Sequence, residues 1–396
     1  MTQQLDSSQL LSLLDSSKLL VVCGSGGVGK TTMSAALGAL AATHLHKKVL
    51  VLTVDPARRL ADALGLQAIG NAVVQVDAKA FNEAGVVPQG QLFAAMIDTK
   101  ASWDDLIHRH APTPAIAQRV LANALYTNLT ERFVHSHDYI AMERLYDVYQ
   151  SGAYDLVVVD TPPSRNALDV LDAPKRMRDF FDSRLLQLLT TPAQSRVVSL
   201  MSKPFFQVAD RILGARFLSS ITEFFTLFRT MEKGFVERAN KVESVLRNTD
   251  TKFAVVTTLE VAPAFEAEYL LTELQSRSFS LAALIANRVL PLSLANQTSA
   301  ALANDRSLVG PEMLQAAAAA AGLPAPSTAQ CERVLATLWR AAQDVVAASA
   351  VEQSRLDKLS HSCSKSGANV LTAQYVSGEI TDMKGIVALG ESLSGR

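Results

Sequence analysis

The sequence has few cysteines, a nearly neutral charge balance and no long apolar run. Its cysteines, Cys23, Cys331 and Cys363, are far apart and form no C-x-x-C pair, which argues against a disulfide framework and a sequence-local zinc site. Lysine plus arginine (37) almost balances aspartate plus glutamate (38), so no large basic field draws the chain to nucleic acid. The N-terminus does not read as a signal peptide, and no stretch reaches membrane-spanning length. We therefore expect a cytoplasmic protein with reduced thiols and no nucleic-acid partner.

Continuous apolar runs separated by helical patterns are the main feature of the 396 residues. Such runs are typical of strands buried on both faces. The strand candidates are 19–23, 49–54, 92–97, 156–159, 253–257, 282–286 and 369–372. The alternation predicts an α/β fold with a mainly parallel sheet flanked by helices.

A glycine-rich segment follows the first strand and precedes an alanine-rich helical stretch. It matches G-x-x-x-x-G-K-[ST] in the required strand–loop–helix context and is the typical phosphate-binding loop, or P-loop. Its residues are Gly24, Ser25, Gly26, Gly27, Val28, Gly29, Lys30, Thr31 and Thr32. The glycines let the backbone curl around phosphate oxygens. We expect Lys30 to hold the β- and γ-phosphates of ATP and Thr31 to bind Mg²⁺.

A P-loop also needs a carboxylate at the end of a neighbouring strand. Asp160 follows four apolar residues, 156–159, and is predicted to bind Mg²⁺ through water. The next residues, 161–165, cannot continue a helix or a central strand because they contain two prolines. They predict a loop that responds to the γ-phosphate.

Asp55 comes directly after the second strand candidate, within the sequence Thr53-Val54-Asp55-Pro56-Ala57. One role is to orient or deprotonate the attacking water. The other is to cap a helix that begins near Ala57 with Pro56 at its first position. The sequence alone favours neither of these two roles of Asp55.

Two stretches, 101–150 and 173–248, show helical periodicity and little strand signal. We predict that they form one helical insertion subdomain, and that 1–100, 151–172 and 249–396 form the P-loop ATPase core. Six apolar residues recur at steps of three and four and predict one face of a long helix. They are Phe217, Ile221, Phe224, Phe228, Met231 and Phe235. This stripe is either the core of the subdomain or a groove for a hydrophobic client.

The P-loop, Asp55-Pro56-Ala57 and Asp160-Thr161-Pro162-Pro163 together resemble the arsenite-pump ATPase family (ArsA). That family of deviant Walker A ATPases includes the targeting factors for tail-anchored membrane proteins and is related to the ParA and MinD positioning ATPases. The resemblance covers nearly the whole chain and extends to 255–268, 286–289 and 379–385. It implies a dimer that sandwiches nucleotide, in which Asp55 assists water attack and Asn287 recognises adenine. It also places Asp55 and Asp160 in the two switch loops.

Ser25 departs from that family, whose members usually carry a signature lysine at this position that reaches the partner's nucleotide. Serine cannot supply the charge, so we expect slow hydrolysis by a homodimer unless Arg58, Arg59 or Arg165 substitutes. Alternatively, the chain pairs with a lysine-bearing paralogue.

Other departures concern metals. The targeting factors' C-x-x-C and the three clustered cysteines of arsenite pumps have no counterpart here, so we expect neither structural zinc nor arsenite as substrate. Histidines two positions apart do not face each other on a helix. The pairs His44/His46, His108/His110 and His135/His137 are therefore not predicted to bind metal.

These observations predict a Mg²⁺-dependent ATPase that acts as a dimeric nucleotide switch and handles a hydrophobic client or a membrane-associated partner. One alternative is an ATP-binding regulatory subunit with negligible turnover alone. Another is the catalytic subunit of an anion or metalloid efflux system.

Overall fold

The computed structural model describes residues 7–54, 59–66, 72–126, 134–161, 171–190, 215–291, 293–294, 296–364, 367–376, 378 and 380–393. Within them a central sheet has the strand order β3-β4-β2-β5-β1-β6-β7-β8. The strands are β1 (Leu19–Cys23), β2 (Lys48–Thr53), β3 (Val74–Gln75), β4 (Gln91–Met96), β5 (Leu156–Asp160), β6 (Thr251–Thr258), β7 (Leu281–Val289) and β8 (Asn369–Gln374). Only the pair of β3 with β4 is antiparallel among these described strands. The predicted α/β fold with a mainly parallel sheet is confirmed.

Helices connect the strands. In chain order they are α1 (Ser7–Ser16), α2 (Lys30–His44), α3 (Arg59–Ala63), α4 (Ala78–Glu83), α5 (Thr99–His110), α6 (Pro114–Leu121), α7 (Val134–Ser151), α8 (Ala173–Phe181), α9 (Arg184–Thr190), α10 (Ala215–Arg229), α11 (Glu232–Leu246), α12 (Val261–Ser276), α13 (Gln297–Asn304), α14 (Pro311–Ala320), α15 (Thr328–Ser364) and α16 (Met383–Leu393). Hydrophobic side chains fill both faces of the sheet. The central strands β1 and β5 are buried along their whole length, as expected for parallel strands covered by helices.

The order of the strands brings several loops to one edge of the sheet. β1 lies between β5 and β6, and β5 lies between β1 and β2. Because these strands are parallel, their carboxyl ends share an edge, where ligands of such sheets bind. The P-loop after β1, Asp160 on β5 and Thr53 on β2 therefore meet there.

The phenylalanine stripe does not lie on one long helix, so that prediction is wrong. α10 ends at Arg229 and α11 begins at Glu232. Thr230 causes the break, because its N–H (3.1 Å) and its hydroxyl (2.6 Å) both donate to the Leu227 carbonyl and form a turn.

Four of the five described members of the stripe pack as core, and the fifth, Ile221, is half-buried. Phe224, Phe228, Met231 and Phe235 are all buried. The Phe228 ring lies 5.2 Å from that of Phe235 and 5.4 Å from that of Phe181 on α8. The side chain of Phe217 lies outside the described part. The core interpretation therefore holds for these four residues, while the division of the chain into an ATPase core and a helical subdomain stays a prediction.

A buried ionic group joins α7 to α11. Tyr139 donates its hydroxyl to Glu143 (2.6 Å), and Arg238 donates its Nε to the other oxygen of Glu143 (2.6 Å) and contacts Asp147. Burial raises the pKa of Glu143 although both partners oppose the shift. The ring of His110 on α5 lies 5.0 Å from that of Phe235 at a tilt of 44°, so the aromatic core continues up to this group.

We predict that Phe235→Ala lowers the free energy of unfolding by about 3 to 5 kcal/mol, because it leaves a cavity among packed rings. Urea denaturation followed by circular dichroism measures the change. Phe265→Ala is the matched control, since that ring is 72% exposed. Equal effects of the two substitutions would contradict the core assignment.

A second prediction concerns acid stability. Burial lowers the pKa of His110, and the nearby Arg109 and Arg238 lower it further. The unfolded chain binds this proton at its ordinary pKa near 6.5, so protonation favours unfolding. The free energy of unfolding should therefore fall as the pH drops through about 6.5 towards the lowered pKa of the folded state. His110→Gln should flatten that slope in urea titrations; an unchanged slope would refute the assignment.

Candidate functional site

The P-loop lies between β1 and α2 and depends on glycine at defined positions. Gly24, Gly27 and Gly29 have φ angles of 150°, 80° and 93°, which other residues rarely adopt. A Cβ on Gly24 would also lie 2.1 Å from the Val256 carbonyl oxygen on β6. The loop therefore curls tightly over the amino end of α2, the arrangement that binds phosphate.

Lys30 is buried and folds back over the start of the loop. Its ammonium donates to the carbonyl oxygens of Gly24 and Ser25, both at 2.9 Å. The side chain therefore lies across the predicted phosphate position. The Ser25 hydroxyl is buried and has no hydrogen-bond partner within the described residues.

Asp160 joins the P-loop helix to two strands of the sheet. One of its carboxylate oxygens accepts from the Thr31 hydroxyl at 2.7 Å and from the Thr53 hydroxyl at 2.8 Å. Thr53 is the last residue of β2 and pairs with Asp160 across the sheet. Sequence reasoning assigned Thr53 no role, because only the order of the strands in the sheet places it beside Asp160.

The oxygens of Thr31 and Asp160 form a donor set that suits magnesium. Hydroxyl and carboxylate oxygens are hard ligands, and a site with few protein ligands is normal because Mg²⁺ keeps waters and phosphate oxygens. No group of three or more His, Cys, Asp or Glu side chains able to hold a metal occurs in the described part of the chain. A magnesium ion here would thus be completed by phosphate and water.

Several predicted residues lie outside the described part. They are Asp55, Arg58 and Arg165; Arg59 begins α3, but its side chain is not described. Val54 lies directly before Asp55 and donates its N–H to the Asp160 carbonyl (3.4 Å). The catalytic role of Asp55 and the substitution of an arginine for the missing lysine stay predictions.

Asn287 lies on β7 and contacts the P-loop. Its Nδ2 donates to the Val28 carbonyl oxygen at 2.8 Å, and its Oδ1 accepts from the Arg288 N–H at 2.9 Å. The side chain is buried and forms part of the cavity wall. The predicted contact with adenine stays a prediction.

A cavity of about 710 Å³ extends from the P-loop along the sheet edge. Besides predicted residues it is lined by several that the sequence did not single out for binding, above all Asp62, Thr161, Arg288, Gln374 and Tyr375. Tyr375 follows β8, and its side chain is 56% exposed. An exposed aromatic directly after an edge strand carries no sequence signal, because only the fold brings it to the P-loop.

Cys23 precedes the P-loop but is unsuited to chemistry. It is buried, and burial raises the pKa of its thiol to about 12, although the Lys30 charge and a hydrogen bond with Thr161 oppose the shift. The reactive form of cysteine is the thiolate. Cys23 is therefore an inert packing residue.

Two of the histidines that were not expected to bind metal make other contacts. His44 lies 2.6 Å from a Glu391 carboxylate oxygen, and His110 packs on Phe235. The side chains of His135 and His137 lie outside the described part. In that same part, no helix combines the length and apolar character that a membrane crossing requires.

Several known ATPases are similar to this chain over about two thirds of its length. The chain is similar to "ATPase ASNA1 homolog" of Entamoeba dispar (27% identity; 70% of this chain, 77% of the relative). It is similar to "ATPase get3" of Aspergillus terreus (28%; 68% and 73%). It is also similar to "Putative arsenical pump-driving ATPase 2" of Aquifex aeolicus (26%; 68% and 79%).

A family model described as "Anion-transporting ATPase" matches residues 17–310. The matched range contains β1 to β7, the P-loop, Asp160 and Asn287, and it ends before β8 and Tyr375. The resemblance drawn for residues 379–385 lies beyond it. The match spans well over half of the chain, so the protein belongs to the anion-transporting ATPase family and is an ATP-binding ATPase.

Proposed function

We propose that the chain is a Mg²⁺-dependent ATPase that works as a dimeric switch and couples its nucleotide state to a hydrophobic client or a membrane-associated partner. The observation that carries the enzymatic part is the contact of Asp160 with both Thr31 and Thr53. It holds a carboxylate beside the P-loop hydroxyl, where the magnesium of a bound nucleotide is expected.

Different residues of the site would bind the phosphates, the magnesium ion and the attacking water. The loop N–H groups and the amino end of α2 would bind phosphate oxygens, and Lys30 would exchange its two carbonyl partners for the β- and γ-phosphates. Thr31 would bind magnesium directly and Asp160 through water. A bound magnesium ion supplies charge neutralisation at the phosphates. Asp55, one residue beyond Val54, would orient the attacking water.

An exposed apolar face on α12 supports the partner part of the proposal. Val261, Phe265 and Tyr269 recur every fourth residue, so they share one side of the helix, and they are 70%, 72% and 55% exposed. Clustered exposed apolar groups often mark interaction surfaces. Since four described members of the phenylalanine stripe are buried, α12 is the better candidate for a partner contact. A cytoplasmic location stays part of the proposal.

A second candidate function is an ATP-binding subunit that turns over negligibly until it pairs with a lysine-bearing paralogue. The observation that favours it is Ser25, whose buried hydroxyl carries no charge that would reach another subunit's nucleotide. A catalytic role in anion efflux is supported by the name of the matched family and by that of the Aquifex relative.

The enzymatic proposal predicts Mg²⁺-dependent ATP turnover that Asp160→Asn lowers at least about a hundredfold, because a group that positions charge at the phosphates is lost. Steady-state phosphate release measures it, beside Asp55→Asn. Asp155→Asn is the matched control, since Asp155 precedes β5 and binds the Lys48 N–H. If Asp160→Asn hydrolysed ATP at the wild-type rate, the assignment of Asp160 to the magnesium site would be refuted. ATP binding without turnover would favour the second candidate, which adding a lysine-bearing paralogue then tests.

A further prediction concerns Tyr375, whose ring we expect to stack on the nucleobase. Base–aromatic stacking contributes about 1 to 3 kcal/mol, so Tyr375→Ala should weaken ATP binding about ten- to hundredfold in calorimetry. Binding of inorganic tripolyphosphate, which has no base, should not change. Tyr269→Ala, another exposed tyrosine outside the cavity lining, is the control. Equal losses for both ligands would place Tyr375 at the phosphates instead.

A further inference from the structure

We propose that Asn287 is a positioning residue for the P-loop: its amide group holds the Val28 carbonyl and keeps the loop in its phosphate-binding shape. The inference rests on the proposed nucleotide function and gives this side chain a role at the phosphates that is separate from reading the base. It follows from the contacts on both sides of the amide group.

The contact with the loop is direct and buried. Asn287 Nδ2 donates to the Val28 carbonyl oxygen at 2.8 Å. A Cβ on Gly29 would lie only 2.5 Å from the same nitrogen, so the amide packs against the loop backbone itself. A buried carbonyl that loses its donor is costly. The amide of Asn287 therefore restrains the last two residues before Lys30.

A second hydrogen bond, to the amide oxygen, fixes the orientation of the Asn287 side chain. Its Oδ1 accepts from the Arg288 N–H at 2.9 Å. Arg288 has a φ angle of 59°, a left-handed conformation that is uncommon for arginine. The pairing of β7 with β8 shifts register between Ala286 and Val289. This irregularity places the Arg288 N–H where it holds the Asn287 amide towards the P-loop.

The loop is thus restrained at both ends by different groups. Lys30 holds the carbonyls of Gly24 and Ser25 at its start, and Asn287 holds that of Val28 at its end. When phosphate arrives, the Lys30 ammonium is the group expected to turn towards it. Asn287 then remains as a restraint on the Val28 carbonyl from outside the loop.

An amide side chain also keeps bonding capacity for a ligand. It offers two N–H donors and two acceptor lone pairs, and one of each is used by Val28 and Arg288. A contact with adenine is compatible with the positioning role. The two roles separate experimentally, because only the positioning role affects a ligand without a base.

The test measures Mg²⁺-tripolyphosphate and Mg²⁺-ATP binding by the full chain and its Asn287→Ala variant in calorimetry. We expect both affinities to fall about tenfold, the scale of one hydrogen bond. Amide hydrogen exchange of residues 24–32 without ligand should be faster in the variant. Asn287→Leu, which keeps the side-chain volume, should behave like Asn287→Ala.

The matched control is Asn296→Ala. Asn296 makes the same pair of bonds, from Nδ2 to the Ser293 carbonyl (2.8 Å) and from the Ser299 N–H to Oδ1 (2.9 Å), at an exposed helix start. The inference would be overturned if the Asn287 variants bound tripolyphosphate as tightly as the wild-type chain, or if amide hydrogen exchange of residues 24–32 did not change. Global unfolding of both Asn287→Ala and Asn287→Leu would overturn it as well. Failure of the wild-type chain to bind ATP would instead refute the proposed function.

Discussion

The structure of the site depends on one carboxylate, that of Asp160, and its two hydroxyl donors. Thr31 lies in the first turn of α2, Thr53 at the end of β2 and Asp160 at the end of β5. The hydroxyl oxygens of the two threonines lie 2.7 and 2.8 Å from one carboxylate oxygen of Asp160. Because the carboxylate is buried, its two donors offset much of the cost of removing it from water. The same contact fixes the P-loop helix against two strands of the sheet. A displacement of Asp160 would therefore act directly on the P-loop helix through Thr31.

Lys30 and Asn287 complete this arrangement from opposite ends of the P-loop. Both bind loop carbonyls, but their chemistry differs. The ammonium of Lys30 is drawn to phosphate as soon as phosphate is present, whereas the neutral amide of Asn287 has no such preference. Lys30 is thus expected to change partners when phosphate binds, whereas Asn287 is expected to keep its hydrogen bond to the Val28 carbonyl. The positive end of α2 adds a fixed charge that needs no rearrangement.

Much of this site followed from the sequence, and the failures have physical causes. The P-loop, the strand ends and Asp160 were predictable because they lie on local patterns of strand, turn and helix. Thr53, Arg288 and Tyr375 were not, since only the strand order brings them to the P-loop. The phenylalanine stripe was read correctly as periodic but wrongly as one helix. Thr230 forms a turn at the end of α10 through its N–H and its hydroxyl, and such a turn leaves the apolar period unchanged.

The burial of that stripe changes where a partner should bind. The rings of Phe181 and Phe235 pack 5.2 to 5.4 Å from that of Phe228, and exposing them would cost the stability they provide. The apolar face of α12 is already exposed, so binding there requires no such opening. α12 follows β6, the strand that pairs with β1 and contacts Gly24 through Val256. A partner on α12 would therefore bind the helix that follows this neighbouring strand, and the buried rings of the stripe would not need to be exposed.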